Sequence, residues 1–215
     1  VKAPDVIDIT KKGALGKGLE AARLVLESGG VVAYPTESFY GLAVDPRRDA
    51  SVERLFEVKR RAPEKPILLI LSSRPDADRY AVRISEIART LMEKFWPGGL
   101  TLVFEASREV NPLLTAGTGK IGLRHSSHPV ARALAAGLSG AVTGTSANLS
   151  GQPSNKTPQG VLESLGGVDL VLDGGETPGG RGSTVVDVSV RPGVLLREGM
   201  IGEGELAPWL GRGIG

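Results

Sequence analysis

Two cations and two small polar residues, each pair spaced two apart, carry the chemistry most legible in this sequence: Lys59 with Arg61, and Ser146 with Asn148. The first pair sits in Lys59-Arg60-Arg61-Ala62-Pro63-Glu64-Lys65-Pro66. Pro63 disfavours the helical region at Ala62, so the chain is expected to be extended by Arg61. Residues two apart in an extended segment share a face, which lets Lys59 and Arg61 converge on one anion. Arginine forks onto a carboxylate or phosphate, whereas lysine acts as a mobile point charge. The second pair lies in Thr143-Gly144-Thr145-Ser146-Ala147-Asn148-Leu149-Ser150-Gly151. Its hydroxyls, amide and flexible backbone N–H groups suit phosphate oxygens or a nucleotide edge. The same residues also suit an Asx- or Ser-stabilised loop. A third segment, Tyr34-Pro35-Thr36-Glu37-Ser38-Phe39-Tyr40-Gly41-Leu42, reads as a strand that ends at proline and enters a turn. There Thr36 and Ser38 could present hydroxyls to a small polar ligand.

Other chemistries find little support. Cysteine is absent, which removes thiolate nucleophiles, disulfides and Cys-based zinc sites. His125 and His128 are the two histidines and share one loop. With no evident third ligand they fit a structural or hydrogen-bonding role better than a metal site. Gly117-Thr-Gly119-Lys-Ile-Gly122 matches a dinucleotide fingerprint letter by letter but precedes a strand-like run, the wrong context. Gly144-Thr-Ser146-Ala-Asn148 begins like a nucleophile elbow and ends in asparagine where glycine is needed. The formal charge of +2 is too small to indicate nucleic-acid binding by itself, although the pI is near 9.0. Aromatics at 4% leave few stacking platforms for single-stranded nucleic acid.

The elements that must position these groups alternate. Residues 16–28 place Leu19, Ala22, Val25 and Leu26 on one helical face, and Gly29-Gly30 stop that helix. Further helices are expected at 51–59, 84–95, 129–138 and 159–165, with Pro129 suited to a first turn. Strands are expected at 31–34, 67–71, 100–104, 121–124, 141–143, 169–172 and 184–188. The alternation predicts an α/β fold with a mixed sheet. Apolar runs without strict alternation suggest strands covered on both faces. One domain over 1–215 is expected, with its core at about 15–201 and a loose glycine-rich tail at 202–215. No apolar run approaches the ~20 residues that span a bilayer. No secretory signal opens the chain, so a cytoplasmic protein without membrane contact is the expectation.

Taken in order, the segments resemble the YrdC-like family, whose members include threonylcarbamoyladenylate synthases. The family's K-x-R and S-x-N set matches Lys59, Arg61, Ser146 and Asn148. PTESFYGL, FWPGGLT, SANLSG and Leu196-Arg197-Glu198-Gly199 are similar to further family segments, as is Arg124 with His128-Pro129. Ala62, Gly99 and Ser126 stand where the family pattern has proline, and Ile70 where some members have histidine. The resemblance implies one twisted mixed sheet flanked by helices, with a large open groove. It implies that L-threonine, bicarbonate and ATP give threonylcarbamoyl-AMP and pyrophosphate, for the modification of adenosine 37 in tRNA. By the same resemblance Lys59 and Arg61 are catalytic, and Thr36, Tyr40, Arg61 and Arg124 hold threonine. Lys59, Ser146, Asn148, Ser183, Thr184 and Arg197 hold ATP. Mg²⁺ arrives with ATP, and no protein metal ligand or organic cofactor is implied. The implied partners are a downstream threonylcarbamoyl-transfer complex and, through direct contact, tRNA or double-stranded RNA. An RNA-binding module and a paralogue acting on another small acid are the alternatives.

Overall fold

The computed structural model describes residues 3–210. Among the described residues, ten strands form one mixed sheet in the order β1-β8-β2-β3-β7-β4-β6-β5-β9-β10. In chain order they are β1 (Asp5–Asp8), β2 (Val32–Pro35), β3 (Tyr40–Ala43), β4 (Leu68–Leu71), β5 (Leu100–Glu105), β6 (Lys120–Arg124), β7 (Ala141–Ser146), β8 (Leu170–Asp173), β9 (Thr184–Asp187) and β10 (Val194–Arg197). The helices are α1 (Ala14–Glu27), α2 (Asp49–Lys59), α3 (Ala77–Tyr80), α4 (Glu86–Phe95), α5 (Pro112–Thr115), α6 (Pro129–Gly137), α7 (Pro158–Ser164) and α8 (Glu203–Leu206). Neighbouring strands run both ways: β4 is parallel to β6, for example, and antiparallel to β7.

Local chemistry sets several boundaries. Gly29, at φ 91°, closes α1, and Gly30 N–H donates to Val25 O at 2.8 Å. Ser85 caps α4 by accepting Ala88 N–H, and Thr157 caps α7 by accepting Gly160 N–H at 3.1 Å. Pro129 and Pro158 open their helices, where a missing N–H costs nothing.

Strand alternation divides the interior in two. Leu69, Leu71, Leu100, Leu102, Phe104, Ile121, Leu123 and Val186 point into one core with Val52 and Leu55 of α2 and Leu91 of α4. Each such side chain, fully buried, contributes about 1.5–3 kcal/mol. Residues of opposite parity face the other way. On that second face Ala22 and Leu26 of α1, with Val130, Ala131 and Leu134 of α6, cover Val32, Tyr34, Ile70 and Val142.

Here the structure departs from expectation. Strands covered on both faces hold for β8, β2 and the first half of β7, but not for β6, β5 and β9. Their second-face residues are Gly122, Arg124, Thr101, Val103, Ser183, Val185 and Asp187, and they line an open cavity. Their strands do alternate, but with small and charged residues that make the pattern faint.

Three smaller differences follow. Tyr40–Ala43, read as the end of a turn, is the buried strand β3. Strands β1 and β10 and the short helices α3, α5 and α8 were not foreseen. The tail expected to be loose from residue 202 packs down: Leu206 is fully buried, and the Trp209 ring meets Phe95 edge-on at 6.1 Å. The rest of that tail, 211–215, lies outside the described residues. No helix is long and apolar enough to cross a membrane among the described residues.

Candidate functional site

The uncovered sheet face forms the floor of a cavity of about 810 Å³. Glycines make the room. A Cβ on Gly144 would lie 2.6 Å from Leu68 Cδ1 and 2.7 Å from Ile70 Cγ1, so no larger residue fits that floor unchanged. Gly122 lies under the same space, beside Leu68 and Thr101.

Cations stand around this floor. Arg61 follows α2 and donates from Nε to Lys65 O at 3.1 Å and from Nη2 to Pro66 O at 2.8 Å. Those bonds brace its guanidinium against its own loop, and among the described residues no carboxylate pairs with it. Arg124, at the end of β6, is 6% exposed and forms an ion pair with Glu37. Its Nε donates to Gly98 O at 3.2 Å. Arg197 ends β10 and donates from Nη2 to Ser183 O at 2.9 Å and to Ser183 Oγ at 3.2 Å. Burial and then the charge of Arg124 lower its pKa, the mark of two cations facing one space. Arg181 and Lys65 lie further out, and Lys120 pairs with Asp187 at 2.8 Å at the cavity's edge.

Hydroxyls complete the wall. Ser146 Oγ donates to Asn148 Oδ1. Thr101 Oγ1 donates to Ser183 Oγ at 2.8 Å. Thr36 belongs to a tight turn: its Oγ1 donates to Phe39 O at 2.6 Å and accepts the N–H groups of Ser38 and Phe39. Tyr40 borders the cavity with its side chain fully buried in the first core, and its hydroxyl donates to Gly175 O at 2.8 Å and accepts Gly174 N–H at 3.1 Å. Burial pushes its pKa up to about 12, so it stays protonated and holds the loop after β8.

The structure therefore brings Thr36, Tyr40, Arg61, Arg124, Ser146, Ser183 and Arg197 to one cavity. Three residues grouped with them stand behind its wall. Lys59 was expected in an open groove on an extended segment. It is instead the last residue of α2, 1% exposed, and its ammonium donates to Ser146 O and, at 2.8 Å, to Asn148 O. Arg60 next to it adopts the left-handed conformation, φ 47° and ψ 45°, so the facing argued from an extended chain does not apply. Burial first, and then the charge of Arg61, push the Lys59 pKa down to about 8. The Asn148 amide is likewise committed, donating to Leu149 O at 3.1 Å and to Gln152 O at 2.5 Å. Thr184 is fully buried: its hydroxyl donates to Ile201 O at 2.6 Å and accepts the N–H groups of Gly199 and Ile201. These three side chains shape the loops that carry Ser146, Ser183 and Arg197.

The two histidines stay out of the cavity. Burial leads in lowering both pKa values, which favours the neutral imidazole. Gly117 and Gly119, at φ 73° and 67°, make the turn that leads into β6, not a phosphate loop after a strand. Sequence reasoning missed Thr101, Lys120, Arg181 and Asp187 as cavity residues. The period of two through Leu100-Thr101-Leu102-Val103 would have exposed Thr101 as facing away from the core.

Comparison with known proteins shows the family and the fold. The profile of the Sua5/YciO/YrdC family, described as telomere recombination, matches residues 24–199. A threonylcarbamoyl-AMP synthase of Pyrococcus abyssi is 37% identical over 175 residues, covering 81% of this chain and 52% of that protein. One from Thiobacillus denitrificans is 38% identical over 172 residues, covering 80% of this chain and 90% of that protein. The crystal structure of P. abyssi Sua5 complexed with L-threonine superposes with a TM-score of 0.89 at 33% identity, covering 98% of this chain and 61% of that one. E. coli YciO superposes at 0.81 and 26% identity, with 96% and 97% covered. The chain thus spans about half the length of some relatives and nearly all of others.

Proposed function

This chain belongs to the Sua5/YciO/YrdC family, and from that premise we propose that it is a threonylcarbamoyl-AMP synthase, a nucleotidyltransferase. The observation that carries the reading is one cavity of about 810 Å³ ringed by Arg61, Arg124 and Arg197 with the hydroxyls of Ser146 and Ser183. Ligand pockets run to about 300–1,000 Å³, so this one has room for a nucleotide and an amino acid together.

The proposed chemistry asks the protein for no covalent step. The threonine amine attacks bicarbonate carbon, water leaves, and a carbamate results. A carbamate oxygen then attacks the α-phosphorus of ATP, the bond to the β-phosphate oxygen breaks, and pyrophosphate departs. An anion must therefore approach a polyanion. Fixed cations that neutralise both, already in place before the reaction, lower that barrier without reorganisation. Holding the partners in line supplies a further share, up to about 7–11 kcal/mol in ideal cases.

In this reading Arg61 meets the carbamate and α-phosphate, and Arg124 the threonine carboxylate. Ser146, Ser183 and Arg197 take the triphosphate, whose Mg²⁺ comes as part of the substrate. Thr36 and Tyr40 wall the amino-acid end. Lys59 and Asn148 act through the loop that presents Ser146. The product would pass to a separate threonylcarbamoyl-transfer complex acting on tRNA.

The test is to incubate the protein with ATP, Mg²⁺, bicarbonate and L-threonine, and to follow pyrophosphate and the adenylate by mass. Pyrophosphate release should require threonine and bicarbonate together. Equal release from ATP alone marks a plain nucleotidase and overturns the proposal.

A further inference from the structure

We propose that Glu37 and Ser126 are positioning residues that clamp Arg124 in the orientation in which it receives the amino-acid carboxylate; this rests on the synthase reading above. Arg124 lines the large cavity, but Glu37 does not. Glu37 lines a second, smaller cavity of about 330 Å³ on the far side of the turn that follows β2. The ion pair between them thus passes through the wall: the arginine meets ligand and the carboxylate stands behind it.

The carboxylate is itself held. Its Oε1 takes the Arg124 guanidinium, and Ser127 N–H approaches the same oxygen at 3.4 Å. Its Oε2 accepts the Ser126 hydroxyl at 2.5 Å. Ser126 is fully buried, and its Oγ in turn accepts His128 N–H at 3.1 Å. The serine hydroxyl thus donates to Glu37 while accepting from His128. Arg132 fixes the same residue from its other side, donating from Nη1 to Ser126 O at 2.7 Å. The chain of contacts runs from the start of α6 through Ser126 and Glu37 to Arg124, and it leaves both carboxylate oxygens engaged. The Arg124 side chain is 8% exposed and that of Glu37 12%, so neither can be re-hydrated cheaply if the clamp opens.

Two other roles fit less well. Glu37 cannot serve as a base toward a substrate in the large cavity, because Arg124 stands between. A purely structural pair would need no hydroxyl at 126, since Arg124 alone compensates the charge. What the hydroxyl adds is direction: it fixes the second carboxylate oxygen and therefore the position of the first, which pairs with Arg124.

The experiment compares the parent chain with Ser126→Ala and Glu37→Gln in steady-state synthesis. It also follows the Arg124 Nε–H resonance by NMR with no substrate present: that N–H donates to Gly98 O, a bond that lasts only while Glu37 holds the other end of the guanidinium. Ser126→Ala should raise KM for threonine about 3- to 10-fold, the effect of one lost hydrogen bond, with KM for ATP and kcat little changed. Its melting temperature should stay near the parent's, and exchange of the Arg124 Nε–H should accelerate. Glu37→Gln should show the same pattern more strongly. If Ser126→Ala leaves the Nε–H resonance and its exchange unchanged, or raises both KM values equally, the clamp is not a positioning device. Faster Nε–H exchange in Ser126→Ala, together with a parent chain that makes no adenylate, sinks the synthase reading and leaves the clamp standing.

Discussion

Replacing Lys59 by methionine tests what the buried lysine does. The two carbonyl bonds it donates are charge-assisted, worth about 1.5–3 kcal/mol each. Ser146 O also accepts Asn148 N–H at 3.0 Å and keeps that partner when the ammonium is gone. Asn148 O has no second donor among the described residues and is left bare. Against this loss stands the cost of holding a charge in a dry place. A fall in pKa from 10.5 to about 8 corresponds to about 3 kcal/mol. The balance at neutral pH is a net loss of about 1–3 kcal/mol, or roughly 2–12 °C in melting temperature for a domain of this size. The pH dependence has a definite sign. The folded-state pKa lies below the unfolded one, so between about pH 8 and 10.5 the unfolded chain binds more protons. Parent stability should therefore gain from this group as pH rises through that window, and Lys59→Met should lack the gain. Synthesis should fall about 100-fold, because an unfastened loop misplaces Ser146. Urea unfolding at pH 7 and pH 10, with the adenylate assay alongside, measures all three. A variant that melts like the parent, shows the parent's pH slope and makes no adenylate would refute the argument, because Lys59 would then act on substrate directly.

Three further outcomes are expected. Arg60 is exposed and left-handed at the C-cap of α2, so Arg60→Gly should leave synthesis near the parent rate and stabilise by up to about 1 kcal/mol, read from chemical unfolding; a loss of stability contradicts the strain argument. A Cβ on Gly199 would sit 2.2 Å from Gly182 O and 2.5 Å from Ser183 C. Backbone cannot yield as a side-chain tip does, so Gly199→Ala should cost more than about 3 kcal/mol and lower kcat/KM for ATP; parent-like unfolding and kinetics would rule this out. Burial works to raise the Asp187 pKa, but hydrogen bonds from Lys120 and Ser189 prevail and hold it below 3.8. Its stabilising contribution is thus present above pH 3.8 and lost as pH falls through the folded value, and Lys120→Met should shift the acid-unfolding midpoint, followed by circular dichroism, to higher pH; coincident midpoints would show that the pair is inert.

What the sequence disclosed and what it hid divide along physical lines. Helix α1 was legible because Leu19, Ala22, Val25 and Leu26 repeat at the helical period and two glycines follow. Strand β3 was hidden because Tyr40-Gly41 continues a run of proline, threonine and serine that signals a turn. Gly41 is there for another reason: a Cβ would stand 3.0 Å from the Tyr34 ring, so glycine marks close packing between β2 and β3. The grouping of Arg61, Arg124, Ser146 and Arg197 came from family resemblance, and the shared cavity agrees with it. The placement of Lys59 was misjudged because its burial is decided from outside its own segment. Ser150 N–H donates to Lys59 O at 2.9 Å, and the ammonium reaches across to Ser146 and Asn148. Local sequence around Pro63 carries no trace of those contacts.

One sheet performs two tasks here because its strands have two sides. Leu100, Leu102 and Phe104 of β5 are committed to the core, while Thr101 and Val103 between them border the cavity. The same holds for Ile121 and Leu123 against Gly122 and Arg124 on β6. Stability is drawn from one parity, which leaves the other free to carry glycine, threonine and arginine at positions where a helix would otherwise require leucine. An uncovered sheet face is normally an aggregation hazard, and the rim of arginines and lysines makes this one a poor partner for apolar surface. Those same cations are what an anionic amino acid and a nucleotide triphosphate need. The face that cannot be closed for solubility's sake is therefore kept open by the charges that the proposed reaction uses.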